Sequence, residues 1–147
     1  MVIAQMHLPR GLPKPYASLR STGNILRFHH GDAIELLERL PKASIDLIVT
    51  SPPYNLGVRY RSFNDSLPPA QYLDWTDTWI AAAKRALTPM GSLFLNVGAT
   101  PTRPWSALDV AQTARRHLQL QNVIHWVKSI AIDRADVGAR STLDRDL

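Results

Sequence analysis

The sequence contains no cysteine, and this absence excludes disulfide bonds, cysteine-ligated zinc fingers and iron–sulfur clusters. It also lacks an apolar run of about eighteen residues, the length that a membrane-spanning helix needs. The N-terminal stretch is interrupted by prolines at 9, 13 and 15 and has no apolar segment typical of a secretory signal. We therefore expect a soluble protein of the cytoplasm, with no membrane partner.

The composition is that of one globular domain. The chain has 147 residues, of which 45% are hydrophobic and 20% charged, and a chain of this length can bury a core without cross-links. Its 17 lysines and arginines exceed its 12 acidic residues, which gives a net charge of +5. A basic balance favours a polyanionic partner, nucleic acid first, although the basic residues are spread along the sequence.

Hydrophobic periodicity predicts strands and helices in alternation. The predicted strands are 25–30, 45–50, 92–97 and 122–127, and the predicted helices are 33–40, 71–87 and 106–118. Residues 1–23 are predicted to form an irregular arm, 24–130 the ordered domain and 131–147 a polar tail. Such alternation is typical of an α/β fold with a parallel sheet and right-handed crossovers.

Several local signals support these elements. Asp32 is predicted to cap the first helix, with Glu35 three residues later as in a capping box. The apolar run 45–50 predicts an inner strand buried on both faces, and residues 88–91 (Thr-Pro-Met-Gly) predict a turn. The aromatic stripe Tyr72, Trp75 and Trp79 is interpreted as core packing rather than as a base-stacking surface.

Chemistry is expected where strand 45–50 ends, because ligands of parallel sheets bind at the carboxyl ends of strands. Ser51, Pro52, Pro53 and Tyr54 follow this strand directly. Two consecutive prolines fix both φ angles, remove two N–H donors and keep Ser51 out of helical geometry. The result is a stiff, acceptor-rich loop with an aromatic ring beside it. This environment suits an amino group on a flat ring.

Such a loop addresses a specific chemical difficulty. The exocyclic nitrogen of cytosine or adenine is a poor nucleophile, because its lone pair is delocalised into the ring. If the Ser51 hydroxyl and the Pro52 carbonyl each accept one amino hydrogen, and Tyr54 stacks on the ring, the lone pair is localised for attack on a methyl group. The target base must first leave the duplex. No metal and no covalent enzyme intermediate are needed.

These residues resemble a known family, the DNA amino-methyltransferases, whose catalytic motif is similar to Thr-Ser-Pro-Pro-Tyr at 50–54. The resemblance covers about residues 24–130 in family-like order. It includes His-Gly-Asp at 30–32, Leu-Pro at 40–41, the strand 45–50, the stretch 87–96 and Ile-His-Trp-Val-Lys at 124–128. The family uses S-adenosyl-L-methionine to methylate N4 of cytosine or N6 of adenine. The opening Ser51 favours cytosine over adenine.

The resemblance implies a partial Rossmann-like methyltransferase fold, with a mostly parallel sheet and helices on both faces. It assigns base and amino-group contacts to Ser51, Pro52 and Tyr54, loop stiffening to Pro53, and a cofactor contact to Asp32. The implied partner is double-stranded DNA, with a cognate restriction endonuclease in the same system but not in direct contact.

Loop arginines near the predicted site are candidates for DNA phosphate contacts, Arg59 and Arg61 in particular, and Arg103 lies in another nearby loop. Solvated surface charge is an equally good reading of all three. His29 and His30 were weighed as metal ligands or a general base. No carboxylate cluster adjoins them in sequence, so no metal is predicted.

The family's glycine-rich cofactor turn has no counterpart here, because no two of the seven glycines are spaced as Gly-x-Gly. In the permuted branch of the family this turn and the DNA-recognition region follow the catalytic block. The chain is therefore predicted to be the N-terminal part of such an enzyme. Two alternatives remain: an inactive fragment with at most weak DNA binding, and a methyltransferase acting on RNA or on a protein side-chain amide.

Overall fold

A computed structural model describes residues 2–4, 12–61 and 63–126 of the chain. Within these residues, strands and helices follow one another along the sequence, as predicted. The elements are β1 (Val2–Ala4), β2 (Ala17–Ser21), β3 (Asn24–Phe28), α1 (Ala33–Arg39), β4 (Ile45–Thr50), α2 (Pro69–Ala86), β5 (Leu87–Leu95) and α3 (Ser106–Ala114). This content confirms the α/β class.

The principal sheet has the strand order β1-β4-β5. β4 and β5 are parallel, with Ile48 opposite Leu93 and Thr50 opposite Leu95. β1 pairs with the other edge of β4 in the antiparallel direction. β4 is therefore the inner strand, as predicted, but the described sheet is small, and only one of its two strand pairs is parallel.

One face of this sheet carries the hydrophobic core. Ile48 of β4 is fully buried there, and Ile45 at the start of the strand is also fully buried. The same cluster contains apolar residues of α1, its C-terminal cap, α2 and the start of β5, namely Leu37, Leu40, Trp79, Ile80, Ala82, Ala83, Ala86 and Leu87. Both helices therefore pack in one cluster with β4 and the start of β5.

The opposite face is open in the described part of the chain. Val49 of β4 and Phe94 of β5 lie side by side on it, with 41% and 52% of their surfaces exposed. The expectation of a strand buried on both faces is therefore wrong at Val49. An apolar run cannot by itself distinguish a strand with two covered faces from a strand with one.

The N-terminal region contains a β-hairpin instead of an irregular arm. β2 and β3 pair in the antiparallel direction around the turn Thr22-Gly23, with Ser21 opposite Asn24. Gly23 has φ +76°, a left-handed conformation that glycine adopts without strain. β3 was predicted as 25–30 within a parallel sheet. It belongs instead to this separate two-stranded sheet, since its neighbour in space is β2.

The turn predicted at 88–91 is part of β5. Between the pairs Ile45–Leu87 and Leu47–Ser92, β5 contains more residues than β4, so the extra residues bulge out of the ladder. Met90 is 92% exposed on this bulge. A side chain at Gly91 would lie 2.9 Å from the carbonyl oxygen of Ile45, and this close backbone approach explains the glycine.

The last predicted strand is absent as far as the structure describes it. Residues 122–126 are exposed and belong to neither sheet, so the prediction of a strand at 122–127 is wrong for them. Position 127 and the predicted polar tail, 131–147, lie outside the described residues. α3 ends at Ala114, earlier than predicted, and turns follow to 118.

The helix predictions are otherwise accurate. Asp32 caps α1 as predicted, because its Oδ1 accepts hydrogen bonds from the backbone N–H of Ile34 at 2.8 Å and of Glu35 at 3.2 Å. α3 lies beside α2, where His117 contacts Asp77 at 2.9 Å. This hydrogen bond is the main reason that the pKa of Asp77 lies below its usual value. Of the helices in the described part, none is long and apolar enough to cross a bilayer.

Candidate active site

The four residues 51–54, here called the site tetrapeptide, begin where β4 ends. The backbone N–H of Asn96, just after β5, donates to the carbonyl of Thr50 at 2.9 Å, so both parallel strands end at the same edge of the sheet. This is the edge at which parallel sheets bind ligands. The tetrapeptide itself has no regular secondary structure, consistent with its two prolines.

A hydrogen bond closes the tetrapeptide on itself. The hydroxyl oxygens of Ser51 and Tyr54 lie 2.7 Å apart, and either can be the donor. Pro52 and Tyr54 are half-buried, whereas Ser51 is exposed. A cavity of about 120 Å³ opens here, lined by Ser51, Pro52, Tyr54, Leu56, Val58, Tyr60 and Asp65. The structure therefore brings the predicted Ser51, Pro52 and Tyr54 together on one cavity, which we call the tetrapeptide cavity.

The Tyr54 ring rests on the backbone of Gly98, in the segment that follows β5. A Cβ at Gly98 would lie 3.1 and 3.2 Å from two carbon atoms of this ring. These distances are shorter than most contacts of a Cβ, so a larger residue at 98 would require the ring to shift by a few tenths of an ångström. Gly98 therefore sets the position of Tyr54 from one side, and the hydrogen bond to Ser51 sets it from another.

Tyr72 of α2 holds the second proline. Its hydroxyl donates to the carbonyl of Pro53 at 2.8 Å, and only 5% of the residue is exposed. Burial raises the pKa of the Tyr72 hydroxyl above its usual value, so this donor keeps its proton at physiological pH. The longest helix of the described chain thus anchors the backbone of the tetrapeptide directly.

The residues after the tetrapeptide, 55–67, form what we call the site loop. Asn55 is buried at its start and has φ +60°, a left-handed conformation that asparagine tolerates better than most residues. Its side chain donates to the carbonyl of Leu67 and accepts from the N–H of Leu67, both at 2.8 Å. This two-way bond joins the two ends of the loop.

Asp65 fixes the interior of the site loop. Its carboxylate accepts three backbone hydrogen bonds, from Asn55 at 2.8 Å, Leu56 at 3.1 Å and Val58 at 2.9 Å. The residue is only 3% exposed. Hydrogen bonds to a charged acceptor are among the stronger ones in proteins, so Asp65 determines the path of the backbone that lines the tetrapeptide cavity.

Aromatic rings connect the site loop to α2. The rings of Phe63 and Trp75 lie 4.5 Å apart, Tyr60 meets Phe63 edge-on at 6.4 Å, and Tyr72 lies 5.9 Å from Trp75. Tyr72 and Trp79 are buried, which confirms core packing for these two members of the predicted stripe. Trp75 is half-buried and packs against the loop.

The other predicted residues lie outside this constellation. A second cavity lies beyond the site loop and is lined by residues of this loop and of 100–103. Arg59 and Arg61 are exposed and line neither this second cavity nor the tetrapeptide cavity. Asp32 caps α1 and likewise lines neither cavity. Arg103 does reach the site region, where its guanidinium donates to the carbonyl of Asn55 at 2.6 Å.

Four residues that position the tetrapeptide were not predicted: Asn55, Asp65, Tyr72 as a hydrogen-bond donor, and Gly98. Asn55 offered the best signal, because a short polar residue directly after a Pro-Pro-Tyr turn is typical of a left-handed position. Asp65 offered none, since a single aspartate in a polar loop resembles a solvated charge. Within the described ranges no three His, Cys, Asp or Glu residues form a group able to hold a metal ion.

Comparison with known proteins places this site in a family. The sequence profile of the DNA methylase family, which spans N6-adenine and N4-cytosine methyltransferases, matches residues 45–142. The chain belongs to this family of amino-methyltransferases. The match begins at the first residue of β4 and includes the tetrapeptide, the site loop, α2 and Gly98.

Individual relatives of the chain are also named as methyltransferases. The chain is 39% identical over 94 residues to the type II methyltransferase M.ScaI of Streptomyces caespitosus, covering 64% of this chain and 29% of the relative. It is 52% identical over 58 residues to M.MjaVI of Methanocaldococcus jannaschii, covering 40% and 30%. It is 30% identical over 97 residues to the DNA adenine methyltransferase YhdJ of Escherichia coli, covering 66% and 31%. The chain thus spans about three tenths of the length of these relatives.

Proposed function

We propose that the site tetrapeptide binds the exocyclic amino group of a base flipped out of DNA and prepares it for methylation with S-adenosyl-L-methionine as donor. One observation carries this proposal. Ser51, Pro52 and Tyr54 line a single cavity at the carboxyl end of β4, in a chain of the DNA methylase family. The cavity is small and combines oxygen acceptors with an aromatic ring, which suits a flat amino-bearing heterocycle.

The Ser51–Tyr54 hydrogen bond supports the acceptor role of Ser51. A hydroxyl oxygen accepts freely from an amino group when its own hydrogen points elsewhere. The Tyr54 hydroxyl oxygen, 2.7 Å away, can accept a hydrogen bond from the Ser51 hydroxyl. Ser51 Oγ then presents its lone pairs to one amino hydrogen, and the Pro52 carbonyl accepts the other. These two bonds localise the nitrogen lone pair, which is the activation that the reaction requires.

The positioning contacts explain how the tetrapeptide keeps this geometry. Tyr72 binds the Pro53 carbonyl, and Pro52 is the proline that lines the cavity, so we assign the acceptor role to the Pro52 carbonyl. Gly98 lies close against the Tyr54 ring. A preorganised site spends no energy on rearrangement during the reaction. After transfer, the cationic amino nitrogen releases one of its two held protons, so the site needs no strong general base.

The described residues account better for binding of the base that receives the methyl group than for binding of the methyl donor. S-adenosyl-L-methionine supplies an electrophilic methyl group when bound. Asp32, to which the family resemblance gives a cofactor contact, already uses Oδ1 for the cap of α1 and has Oδ2 as its remaining acceptor. One carboxylate oxygen is no cradle for a nucleoside. The described part of the chain therefore does not fit the whole cofactor.

For the target base we propose N4 of cytosine, with N6 of adenine as the alternative. The argument is the Ser51 opening of the tetrapeptide, which the family resemblance associates with cytosine. Relatives include YhdJ, named as a DNA adenine methyltransferase, as well as type II methyltransferases. Type II relatives also support the proposal that the chain serves a restriction–modification system, whose endonuclease recognises the same DNA without contacting this protein.

A second candidate function is an inactive fragment with at most weak DNA binding. Its supporting observation is Asp32, whose single remaining carboxylate oxygen leaves the described residues without a cradle for the cofactor. The two functions differ in whether the full 147-residue chain binds the cofactor and transfers methyl groups.

The test combines calorimetry with a methylation assay on the full chain. The purified protein is titrated with S-adenosyl-L-methionine and then incubated with duplex DNA and a methyl-labelled cofactor. The DNA is digested, and the methylated nucleoside is identified. We expect N4-methylcytosine. Ser51→Ala should lower the rate about 100-fold, the usual scale for removing one preorganised polar group.

Ser18→Ala on the exposed strand β2 is the matched control, because it removes a hydroxyl from a residue outside the tetrapeptide cavity. It should leave the methylation rate unchanged. N6-methyladenine would keep the methyltransferase proposal and reverse the base assignment. No binding heat and no labelled nucleoside from a folded chain would establish the inactive fragment.

A further inference from the structure

A second cavity lies beside the tetrapeptide cavity. Its volume is about 300 Å³, and its lining is Asn55, Leu56, Gly57, Ser66, Thr100, Thr102 and Arg103. It is therefore larger than the tetrapeptide cavity, and the two share Leu56 in their linings. The second cavity lies between the site loop and the segment that follows β5. None of the site functions described so far uses it.

Arg103 gives this cavity its charge. The backbone at 103 is held by Thr100, whose carbonyl and Oγ1 accept from the Arg103 N–H at 3.0 and 3.2 Å. The guanidinium donates one hydrogen bond, to the neutral carbonyl of Asn55. Among the described residues no carboxylate pairs with Arg103. A fixed guanidinium with unused donors is well suited to an oxyanion.

The remaining lining strengthens this preference. Ser66, Thr100 and Thr102 contribute hydroxyl groups, and the two threonine hydroxyls lie 3.1 Å apart. The lining contains no acidic residue. The neighbouring Asp65 directs its carboxylate into the site loop, where three backbone N–H groups bind it. A negatively charged ligand therefore meets hydroxyl donors and one positive charge, with no carboxylate lining the cavity to repel it.

We propose that the second cavity binds a phosphodiester of the DNA strand, the one adjacent to the target nucleotide. This inference rests on the proposed function and adds Arg103, Thr100 and Thr102 as binding residues. The argument for a phosphodiester is position. Arg103 is bonded to Asn55, the residue directly after Tyr54, so the oxyanion site and the base site lie on two sides of the same loop. Phosphate contacts of this kind set the register of a protein on DNA.

The first experiment observes Arg103 directly in the full-length wild-type chain. The arginine Nε signals are followed by ¹⁵N NMR while a deoxycytidine dinucleotide, which carries one phosphodiester, is added. We expect a saturable shift of the Arg103 signal. The uncharged methylphosphonate analogue of the same dinucleotide should produce no such shift. If the diester leaves Arg103 unchanged, or if S-adenosyl-L-methionine shifts Arg103 and the diester does not, the phosphodiester assignment is wrong.

The second experiment measures duplex DNA binding against salt concentration. Each phosphate contact adds about 0.9 to the slope of log affinity against log salt. Arg103→Gln should therefore reduce the slope by about one and weaken binding about tenfold. The matched control is Arg20→Gln in the hairpin, which removes the same charge from a residue that lines neither cavity. Equal slopes for the two variants would overturn the proposal.

A lysine variant separates phosphate binding from support of the site loop. Arg103→Lys keeps the charge, so it should keep most of the salt slope. If Arg103→Gln fails to fold, the comparison is made between Arg103→Lys and the wild-type NMR titration. A diester-dependent shift of Arg103 in a chain that methylates nothing would support this inference and leave the proposed methyl transfer without support. Methylation by a chain whose Arg103 signal does not respond to the diester would support the proposed methyl transfer and contradict this inference.

Discussion

The site loop and the β2–β3 hairpin are similar in length and opposite in construction. The hairpin is regular, with a complete antiparallel ladder, yet almost all of its residues are exposed. The described residues of the site loop, 55–61 and 63–67, contain no helix and only an isolated bridge between Arg59 and Asn64, yet Asn55 and Asp65 are among the most buried polar residues described. In this protein, a segment can therefore be well buried without having regular secondary structure.

The difference lies in which groups satisfy the backbone. In the hairpin, strand N–H groups meet strand carbonyls, an arrangement that needs no particular side chain. In the site loop, side chains form hydrogen bonds with the backbone instead. Asp65 accepts from three backbone N–H groups, and Asn55 binds both the N–H and the carbonyl of Leu67. Side-chain bonds can place an irregular segment accurately, but each depends on one residue. The loop should therefore be the more sensitive of the two to mutation.

The sharpest test of this contrast is Asp65→Asn. The amide would place an NH₂ group against at least one of the three backbone N–H donors and would remove the charge that strengthens all three bonds. We expect a loss of about 3 kcal/mol in the free energy of unfolding. Urea denaturation followed by circular dichroism measures it.

Asp46→Asn is the matched control for Asp65→Asn. Asp46 lies exposed on β4, where it accepts one hydrogen bond, from Thr88 at 3.2 Å. The substitution makes the same change in chemistry and charge, and it should alter the unfolding free energy by no more than about 0.5 kcal/mol. Equal effects at 46 and 65 would show that the loop is no more dependent on its side chains than an ordinary surface position.

Tyr72→Phe should have the next largest effect. It removes the donor to Pro53 and leaves a carbonyl without its partner, at a cost of about 1–2 kcal/mol. Tyr16→Phe, at a residue 85% exposed, should cost almost nothing. A result in which both substitutions are neutral would mean that α2 does not hold the tetrapeptide through this hydroxyl.

The Tyr72→Phe substitution also tests how the stability of the protein depends on pH. Because the pKa of Tyr72 is raised in the folded chain, folding favours the protonated hydroxyl. Its contribution to stability is complete below the ordinary tyrosine pKa, about 10, and declines as the pH rises from there towards the folded value. Wild-type stability should therefore fall in alkaline solution by more than that of Tyr72→Phe, as measured by urea denaturation between pH 8 and about 11.

The sequence was sufficient for features that depend on neighbours along the chain. Asp32 caps α1 because its side chain reaches N–H groups two and three residues later. The Pro-Pro pair stops β4, and strand 45–50 has the bounds predicted. The tetrapeptide could be located for the same reason, since a rigid polar turn after a buried strand marks the carboxyl edge of a sheet.

Features that depend on distant neighbours could not be predicted in this way. The bulge of β5 follows from the close approach of Gly91 to Ile45, and Asp65 and Gly98 act through residues that tertiary folding brings to them. Residues 122–127 have the composition of a strand, but composition alone does not place a segment in a sheet, and residues 122–126 belong to neither sheet of the described structure. The open sheet face was missed because apolar composition does not report which side is covered.

The hairpin offers the smallest expected effect and completes the contrast. Leu26 of β3 pairs across the ladder with Leu19 of β2, and the two residues are 50% and 60% exposed. Leu26→Ala should therefore change the unfolding free energy by only about 0.5 kcal/mol. The same truncation at Leu37 of α1, which is 1% exposed, should cost about 3 kcal/mol because it opens a cavity in the core. If Leu26→Ala proves as costly as Leu37→Ala, the hairpin is part of the cooperative core, and its regular ladder contributes more to stability than its exposure indicates.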